Sequence, residues 1–147
     1  MIMDMGQEFE DANGELFPVA ESGIYDARIV SVNEHFSGDR SKHPGSPNWK
    51  IVFSIEGGDA DGIRVTTWQP LPFGDGTEWM EDQDRKKRIN EIKRLWMATG
   101  APSENGAVES DDLVDLQCRI DVLKKPMDEN DPEGKQTNDL RDVLSLV

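Results

Sequence analysis

The chain has 147 residues, of which 35% are hydrophobic and 31% are charged, and its formal net charge is −14. This length suits one domain with a single core, and no apolar run approaches the roughly 20 residues that a membrane helix needs. The first residues, MIMDMGQEFEDANGE, are acidic where a secretory signal is basic and then apolar, so a cytoplasmic location is expected. The only cysteine, Cys118, excludes an internal disulfide, and with two histidines it cannot form a cysteine-rich zinc site. It is expected in the core.

The negative charge is concentrated towards the two ends of the chain. Residues 1–27 contain seven acids and no base, and residues 28–99 contain eleven of each. Residues 100–147 contain twelve acids and five bases. The middle of the chain is therefore neutral and can present a locally basic face to a polyanion, although the field of the whole chain slows such an approach.

The first predicted strand is GIYDARIVSVNEHF, which is rich in β-branched and aromatic residues. Its apolar register changes between Ile29 and Val30, which indicates a bulge or bend. A loop of glycine, proline, serine and basic residues follows, and it contains Arg40 and Lys42.

The next two strands are predicted to form a hairpin. NWKIVFSIE alternates most clearly, and GIRVTTWQP follows it after a glycine-aspartate turn. If the apolar residues of both strands share the inward face, then Lys50, Arg64 and Trp68 point outward. Trp49 has the inward register but begins its strand, so it can face either the core or the loop.

The second half of the chain is predicted to contain one helix and two strands. DQDRKKRINEIKRLWMATG has an apolar stripe at three- and four-residue spacing, made by Ile89, Ile92, Leu95, Trp96 and Thr99. The basic run 85–94 beside this stripe is either a solvated face or a second nucleic-acid patch. LVDLQCRIDVLKK and NDLRDVLSLV are the two last strands, separated by a turn-rich loop.

Three strands, one helix and two strands are the element order of the OB-fold, a mainly β, five-stranded Greek-key barrel with its helix between strands three and four. We therefore predict an acidic segment over residues 1–22 and an OB-fold domain over residues 23–147. Strands two and three of this fold, with the adjoining loops, bind single-stranded nucleic acid or sugars. The loop after strand one and the loop LKKPMDENDPEGK after strand four are expected to border the same groove.

Binding of a single strand requires cations along the backbone path and flat side chains on which bases stack, at about 1–3 kcal/mol per base. Trp68 is the main predicted platform, with Phe36 and Phe73 as weaker ones at the ends of the groove. Trp96 is expected in the core, and Trp79 has no predicted place. The candidate nucleic-acid-binding residues are Arg40, Lys42, Lys50, Arg64, Trp68, Phe73, Lys124 and Lys125.

Catalytic and metal sites are not expected. DENDPEGKQTND superficially resembles a calcium loop, but Pro132 stands where an oxygen ligand is needed and Asp139 replaces the terminal glutamate. The sequence has no G-x-S-x-G motif, no phosphate-binding glycine loop with lysine, and no histidine-carboxylate grouping at a useful spacing. We predict that the protein is not an enzyme and uses no cofactor or metal.

Four segments in the same order resemble the small OB-fold single-stranded DNA-binding proteins encoded by bacteriophages, a family long catalogued as a domain of unknown function. The segments are GELFPVAESGIYDARIV, SKHPGSPNWKIVFSIEGG, GIRVTTWQPL and RLWMATGAP, and the likeness extends from about Phe9 to the end of the chain. The resemblance implies that Lys42, Lys50, Arg64 and Trp68 border the DNA groove. It also implies that the protein coats single strands without reading their sequence, in phage replication or recombination.

Two hypotheses of different classes follow. The first is sequence-independent binding of single-stranded DNA in the host cytoplasm, with replication or recombination proteins recruited by the acidic ends, no membrane partner, and homo-oligomers as an open alternative. The second is an acidic protein-interaction module, either a DNA mimic or a phage factor that binds a host protein; its support is the charge of −14. A sugar-binding OB module is a third hypothesis.

Overall fold

The computed structural model describes residues 1–12 and 18–146. All five predicted strands and the long helix are present in the predicted order, and a short helix and a 3₁₀ turn over Ser110–Leu113 were not predicted. The short helix has no buried residue, so the sequence contains no apolar stripe that would predict it. The elements are α1 (Gly6–Asp11), β1 (Gly23–Phe36), β2 (Pro47–Ile55), β3 (Arg64–Pro70), α2 (Asp82–Thr99), β4 (Gln117–Pro126) and β5 (Gln136–Leu144).

The five strands form one antiparallel sheet in the order β3-β2-β1-β4-β5. The two edge strands, β3 and β5, come into contact with each other, but no ladder of hydrogen bonds between them is found in the described part of the chain. The hydrogen-bonded sheet is therefore open, whereas the sequence predicted a Greek-key barrel. The predicted bulge in β1 is confirmed, because the register with β2 shifts between Ile29 and Ser31.

The core lies between the inward face of the sheet and α2. Phe53, Ile29, Ile51 and Ile120 are almost completely buried there, as alternation along the strands predicts. From α2, the side chains that pack onto the sheet are Ile92, Leu95 and Trp96. The predicted core position of Trp96 is confirmed.

Cys118 and Trp49 also belong to the inward face. Cys118 has no exposed surface, and burial raises the pKa of its thiol to about 12, so the thiol stays protonated at neutral pH. Trp49 is half-buried and packs against the core, with its ring centroid 5.8 Å from that of Trp96. Of the two placements that the sequence left open for Trp49, the structure shows the one facing the core.

Local signals explain where α2 begins and ends. Glu81 and Asp84 form a capping box, in which each side chain accepts from the other residue's backbone N–H. Gly100 follows the last turn with φ of 72°, and its N–H donates to the carbonyl of Trp96 at 2.9 Å. These two signals set the ends of α2, which lies between β3 and β4 along the chain.

The segment just before β1 is attached to the far edge of the sheet. Ala20 is 2% exposed, and its backbone N–H and C=O both bond to the side-chain amide of Asn138 on β5 at 2.8 Å. Within the described ranges, no helix is both long and apolar enough to cross a membrane.

Candidate nucleic-acid interface

The outward positions of β1, β2 and β3 form one continuous face, which we call the outer face. Arg28, Ser54 and Arg64 are paired across the three strands at one end of it, and His35, Asn48 and Pro70 are paired at the other. The other outward positions between these two rows are Ser31, Asn33, Lys50, Val52, Thr66 and Trp68. Because a strand rises about 3.4 Å per residue, this face is about 20 Å long.

Between the row of Arg28 and the row of His35, no position of the outer face carries a carboxylate, although the chain contains 30 acids. The nearest acids lie at the Arg28 end: Asp26 is the preceding outward position of β1, and Glu56 pairs with Arg28 at 3.4 Å. Alternation places the acids of this region elsewhere: Glu34 is opposite Trp49, with the inward register. The sequence predicted Lys50, Arg64 and Trp68 on the outward side of the hairpin, and the structure shows all three on this face. The outer face is therefore a locally cationic surface on an anionic protein.

Trp68 is the centre of the outer face. Its side chain is 48% exposed, and the ammonium of Lys50 lies 5.6 Å from the centroid of its ring. The ring of His35 meets it edge-on, with centroids 4.7 Å apart and an interplanar angle of 62°. The cluster thus combines an exposed aromatic platform with an adjacent cation, which is the pair of groups that stacks a base and contacts its phosphate.

His35 was missed as a member of this cluster. The signal was available, because the bulge after Ile29 moves Val32 to the inward side and therefore turns His35 outward. Reading the alternation through the bulge would have placed His35 on the face of Lys50. Its contact with Trp68 still depends on the pairing of all three strands, because His35 lies on β1, Trp68 lies on β3, and β2 is between them.

The loop between β1 and β2 carries Arg40 and Lys42, and both side chains are exposed. The base of the loop is closed by two backbone bonds: the N–H of Ser37 donates to the carbonyl of Ser46 at 2.9 Å, and the N–H of Gly45 donates to the carbonyl of Ser37 at 2.8 Å. The loop continues directly from the end of the outer face at Asn48, whose side-chain amide donates to Ser37 and Ser46.

A second set of contacts fixes this loop against the linker that precedes α2. The ring of His43 stacks on Trp79 with centroids 3.6 Å apart and an interplanar angle of 2°. The indole N–H of Trp79 donates to the hydroxyl of Ser46 at 2.7 Å, and that hydroxyl donates to the carbonyl of Gly76 at 3.1 Å. Trp79, which had no predicted place, therefore holds the segment that carries Lys42.

Gly76 makes the close approach between the two loops feasible. Its φ is 92°, and a Cβ at this position would lie 2.1 Å from the carbonyl oxygen of Gly45. Any side chain here is excluded by sterics as well as by backbone conformation. The loop of Lys42 thus has a defined position relative to the sheet.

Ion pairs divide the cations into two groups. The described residues contain seven ion pairs, and their cations are Arg28, Arg88, Arg94, Arg119, Lys124, Lys125 and Arg141. None of these pairs involves Arg40, Lys42, Lys50 or Arg64. Four of the predicted binding residues therefore keep charges that the described acids do not neutralise by direct contact.

Lys124 and Lys125 are in the other group. The ammonium of Lys124 lies 2.7 Å from Glu21, and that of Lys125 lies 2.5 Å from Asp139. They are at the end of β4 that pairs with the beginning of β1, whereas the loop of Lys42 follows the end of β1. No contact in the described residues joins them to the cluster of Trp68, so the structure does not bring them together with the other candidates.

Phe73 is also separated from Trp68. It is 64% exposed, its ring lies 5.2 Å from the guanidinium carbon of Arg85, and it faces a cleft beside α2. Phe36, the other predicted weaker platform, is 53% exposed at the end of β1. Of the three predicted stacking residues, Trp68 alone has a described contact with a cation of the outer face.

The basic run on α2 is partly neutralised. Arg88 pairs with Glu91, and both oxygens of Asp142 on β5 accept from Arg94 at 2.9 Å. Arg85 donates to the carbonyl of Pro72. Lys86 and Lys87 are exposed and belong to none of the seven ion pairs.

Among residues 1–12 and 18–146, no group of three or more His, Cys, Asp or Glu side chains is positioned to hold a metal ion. A scan against models of known protein families and a search of curated proteins found no match to this chain. The candidate interface is therefore defined by its own geometry and charge.

Proposed function

We propose that the protein binds single-stranded DNA without sequence preference, through the outer face and the β1–β2 loop. The antiparallel order β3-β2-β1-β4-β5, the contact between β3 and β5, and the position of α2 between β3 and β4 support an OB-fold. In such a fold the second and third strands and their loops form the ligand groove. The resemblance of four sequence segments to phage single-strand binders supports the same function.

One observation carries the proposal. The part of the outer face between the rows of Arg28 and His35 has no carboxylate, is centred on an exposed tryptophan, and bears Lys50 and Arg64 outside the described ion pairs, on a chain of net charge −14. Thirty acids distributed without constraint would place some on this face. Their exclusion, together with Trp68 and Lys50 in contact, is the arrangement that a polyanion with flat bases requires.

The proposed mechanism divides the work between stacking and charge. A base stacks on Trp68, and this stacking contributes about 1–3 kcal/mol to the binding free energy. The phosphates on either side of that base contact Lys50 and Arg64. Arg40 and Lys42 continue the phosphate path beyond the end of the sheet. Stacking is tolerant of sequence because every base has a π face, and phosphate contacts carry no sequence information.

The salt dependence of binding tests this mechanism. Four phosphate contacts on a single strand predict that log affinity falls with log salt concentration with a slope of about −3. Fluorescence anisotropy of a labelled oligothymidine, titrated at several salt concentrations, measures this slope. Duplex DNA of the same length is the competitor. Absence of binding at low salt, or equal affinity for the duplex, would contradict the proposal.

The proposed setting is phage replication or recombination in the cytoplasm of a host cell, where exposed single strands need to be covered. The protein then covers single strands and protects them from nucleases. Protection of a single-stranded substrate from a nuclease, at protein concentrations that saturate the anisotropy signal, is the matching functional assay. A strand that is digested equally fast with and without saturating protein would contradict this role.

A second candidate function is an acidic protein-interaction module. Residues 1–12 favour it, because they combine four acids with exposed apolar side chains. A pull-down from host lysate treated with nuclease separates the two candidates: partners that persist after digestion of nucleic acid support the interaction module, and partners that are lost support DNA binding.

A further inference from the structure

An apolar cleft of about 470 Å³ opens between the beginning of β2, the linker after β3, and α2. Six of its lining residues are Trp49, Phe73, Ile89, Ile92, Trp96 and Val108. Ile89 belongs to the predicted core stripe of α2, yet it is 41% exposed, because it faces this cleft instead of the sheet. The indole N–H of Trp96 is bonded to the carbonyl of Pro102, so it leaves the cleft wall apolar.

The cleft is not part of the proposed DNA interface. Its wall is formed by Trp49, which has the inward register, whereas Lys50 and Trp68 point to the other side of the sheet. Lys93 is the only charged residue among those that line the cleft in the described chain. The guanidinium of Arg85 lies over Phe73 at its edge. An apolar opening with a cationic rim suits an occupant that is apolar and acidic.

Residues 1–12 of this chain have that composition. They contain four acids, Asp4, Glu8, Glu10 and Asp11, and no base. Their large apolar side chains are all exposed, by 55% or more, and are those of Met1, Ile2, Met3, Met5 and Phe9. None of these residues lines the cleft of its own chain. The molecule thus has an open apolar cleft with a cationic rim, and an acidic segment whose apolar side chains are exposed.

We propose that the cleft of one molecule binds residues 1–12 of a second copy of the chain. Met5 at the start of α1 and Phe9 within it are four residues apart, so their side chains project from the same face of the short helix and form the anchors. The acids of the segment then face Lys93 and Arg85. This self-association does not depend on DNA binding.

The contact is heterologous, because a segment on one molecule meets a different surface on the next. Such a contact forms open chains of molecules, or a pair in which both segments are exchanged. A segment of this length buries less area than a standard interface, so the dissociation constant is expected to be micromolar or weaker. Self-association should therefore depend on protein concentration.

Sedimentation velocity of the full chain over a range of concentrations tests the proposal. Ile89→Glu adds a carboxylate to the cleft and should weaken self-association at least about tenfold, because it opposes both the apolar contact and the acids. Lys93→Glu should weaken it about three- to fivefold, as expected for a rim charge. Lys87→Glu is the matched control, since Lys87 is exposed on the same helix and does not line the cleft.

Complementation tests whether the segment of one chain meets the cleft of another. Phe9→Ser removes an anchor from an exposed segment, and Ile89→Glu removes the cleft, so each variant alone should be largely monomeric. An equimolar mixture should restore a one-to-one complex, because the intact segment of the Ile89→Glu chain meets the intact cleft of the Phe9→Ser chain. A misfolded Ile89→Glu chain that still offers its segment gives the same complex, and the unfolding transition of each variant identifies that case.

A free peptide of residues 1–12 provides a second readout. In excess it should dissociate the wild-type complex, and it should change the tryptophan fluorescence of dilute, monomeric protein because Trp49 and Trp96 line the cleft. A peptide with serine at the two anchor positions, 5 and 9, should do neither. A wild-type chain that is monomeric at every concentration would overturn the proposal. So would self-association that Ile89→Glu and Phe9→Ser leave unchanged, or a mixture of the two that shows no complex.

Discussion

The ammonium of Lys50 lies 5.6 Å from the centroid of the Trp68 ring, and the two residues are directly paired across β2 and β3. This pair joins a stacking platform to a phosphate contact on the same face. Because the two residues are opposite each other in the ladder, their relation is fixed by the hairpin register rather than by flexible side chains. It is the relation from which the binding predictions follow.

Replacing Trp68 by alanine should weaken binding of single-stranded DNA by about 1–3 kcal/mol, the value of one stacked base. The side chain is exposed, so the unfolding temperature should change little. Anisotropy with labelled oligothymidine measures the affinity. Phe73→Ala is the matched control, because Phe73 is also an exposed aromatic but faces the cleft; equal losses from both variants would argue against a site centred on Trp68.

Replacing Arg64 by glutamine should lower affinity and reduce the magnitude of the salt slope by about 0.7, the value of one phosphate contact on a single strand. Lys125→Gln should leave the slope almost unchanged, because its ammonium is already 2.5 Å from the carboxylate of Asp139. Both values come from the same salt titrations. If Lys125→Gln reduced the slope as much as Arg64→Gln, the groove would include the end of β4, as the sequence predicted.

Replacing Gly76 by alanine should displace the β1–β2 loop, because the added Cβ would lie 2.1 Å from the carbonyl oxygen of Gly45. We expect weaker DNA binding through the loss of Arg40 and Lys42, and disruption of the stack of His43 on Trp79. Gly74→Ala is the control: Gly74 also has a positive φ, of 113°, but no atom lies within 4 Å of its added Cβ. Both variants carry backbone strain because both positions have a positive φ. Only Gly76→Ala should also lose affinity for DNA, because only there does the added Cβ displace the loop.

Cys118 predicts a loss of stability at high pH. Its thiol has a folded pKa of about 12 against an ordinary value of 9.0, so between these values the unfolded chain releases a proton that the folded chain keeps. The contribution of this protonated thiol to the free energy of unfolding is complete below pH 9. It is lost as the pH rises towards 12, at up to about 1.4 kcal/mol per pH unit. Denaturant unfolding of the wild type and Cys118→Ala, from pH 8 to pH 10.5, measures the difference, which should shrink with pH. A constant difference would contradict the burial of the thiol.

Short-range patterns were sufficient to predict the five strands and α2, but not the short helix α1 or the 3₁₀ turn. Alternation in NWKIVFSIE and GIRVTTWQP predicted both faces of the hairpin, and the change of register at Ile29 predicted the bulge. The apolar stripe, the acids of its first turn and Gly100 predicted α2. These signals are local, since they arise from periods of two and 3.6 residues and from the chemistry of helix ends.

Several features of the candidate sites were beyond the reach of such patterns. The contacts of His35 with Trp68 and of His43 with Trp79 join residues more than thirty positions apart. The neutralisation of Lys124 by Glu21 joins residues more than a hundred positions apart. None of these three contacts has a periodic signature in the sequence.

The sequence by itself determined the order of the elements, the inward and outward faces of the hairpin, and the concentration of acids towards the ends. Only the tertiary structure decided which cations remain outside the ion pairs, which ring meets Trp68, and that Ile89 faces an open cleft. The physical reason is that periodicity records the side of an element on which a residue lies. The partner that it meets there depends on strand register and on loops that pack together from distant parts of the chain.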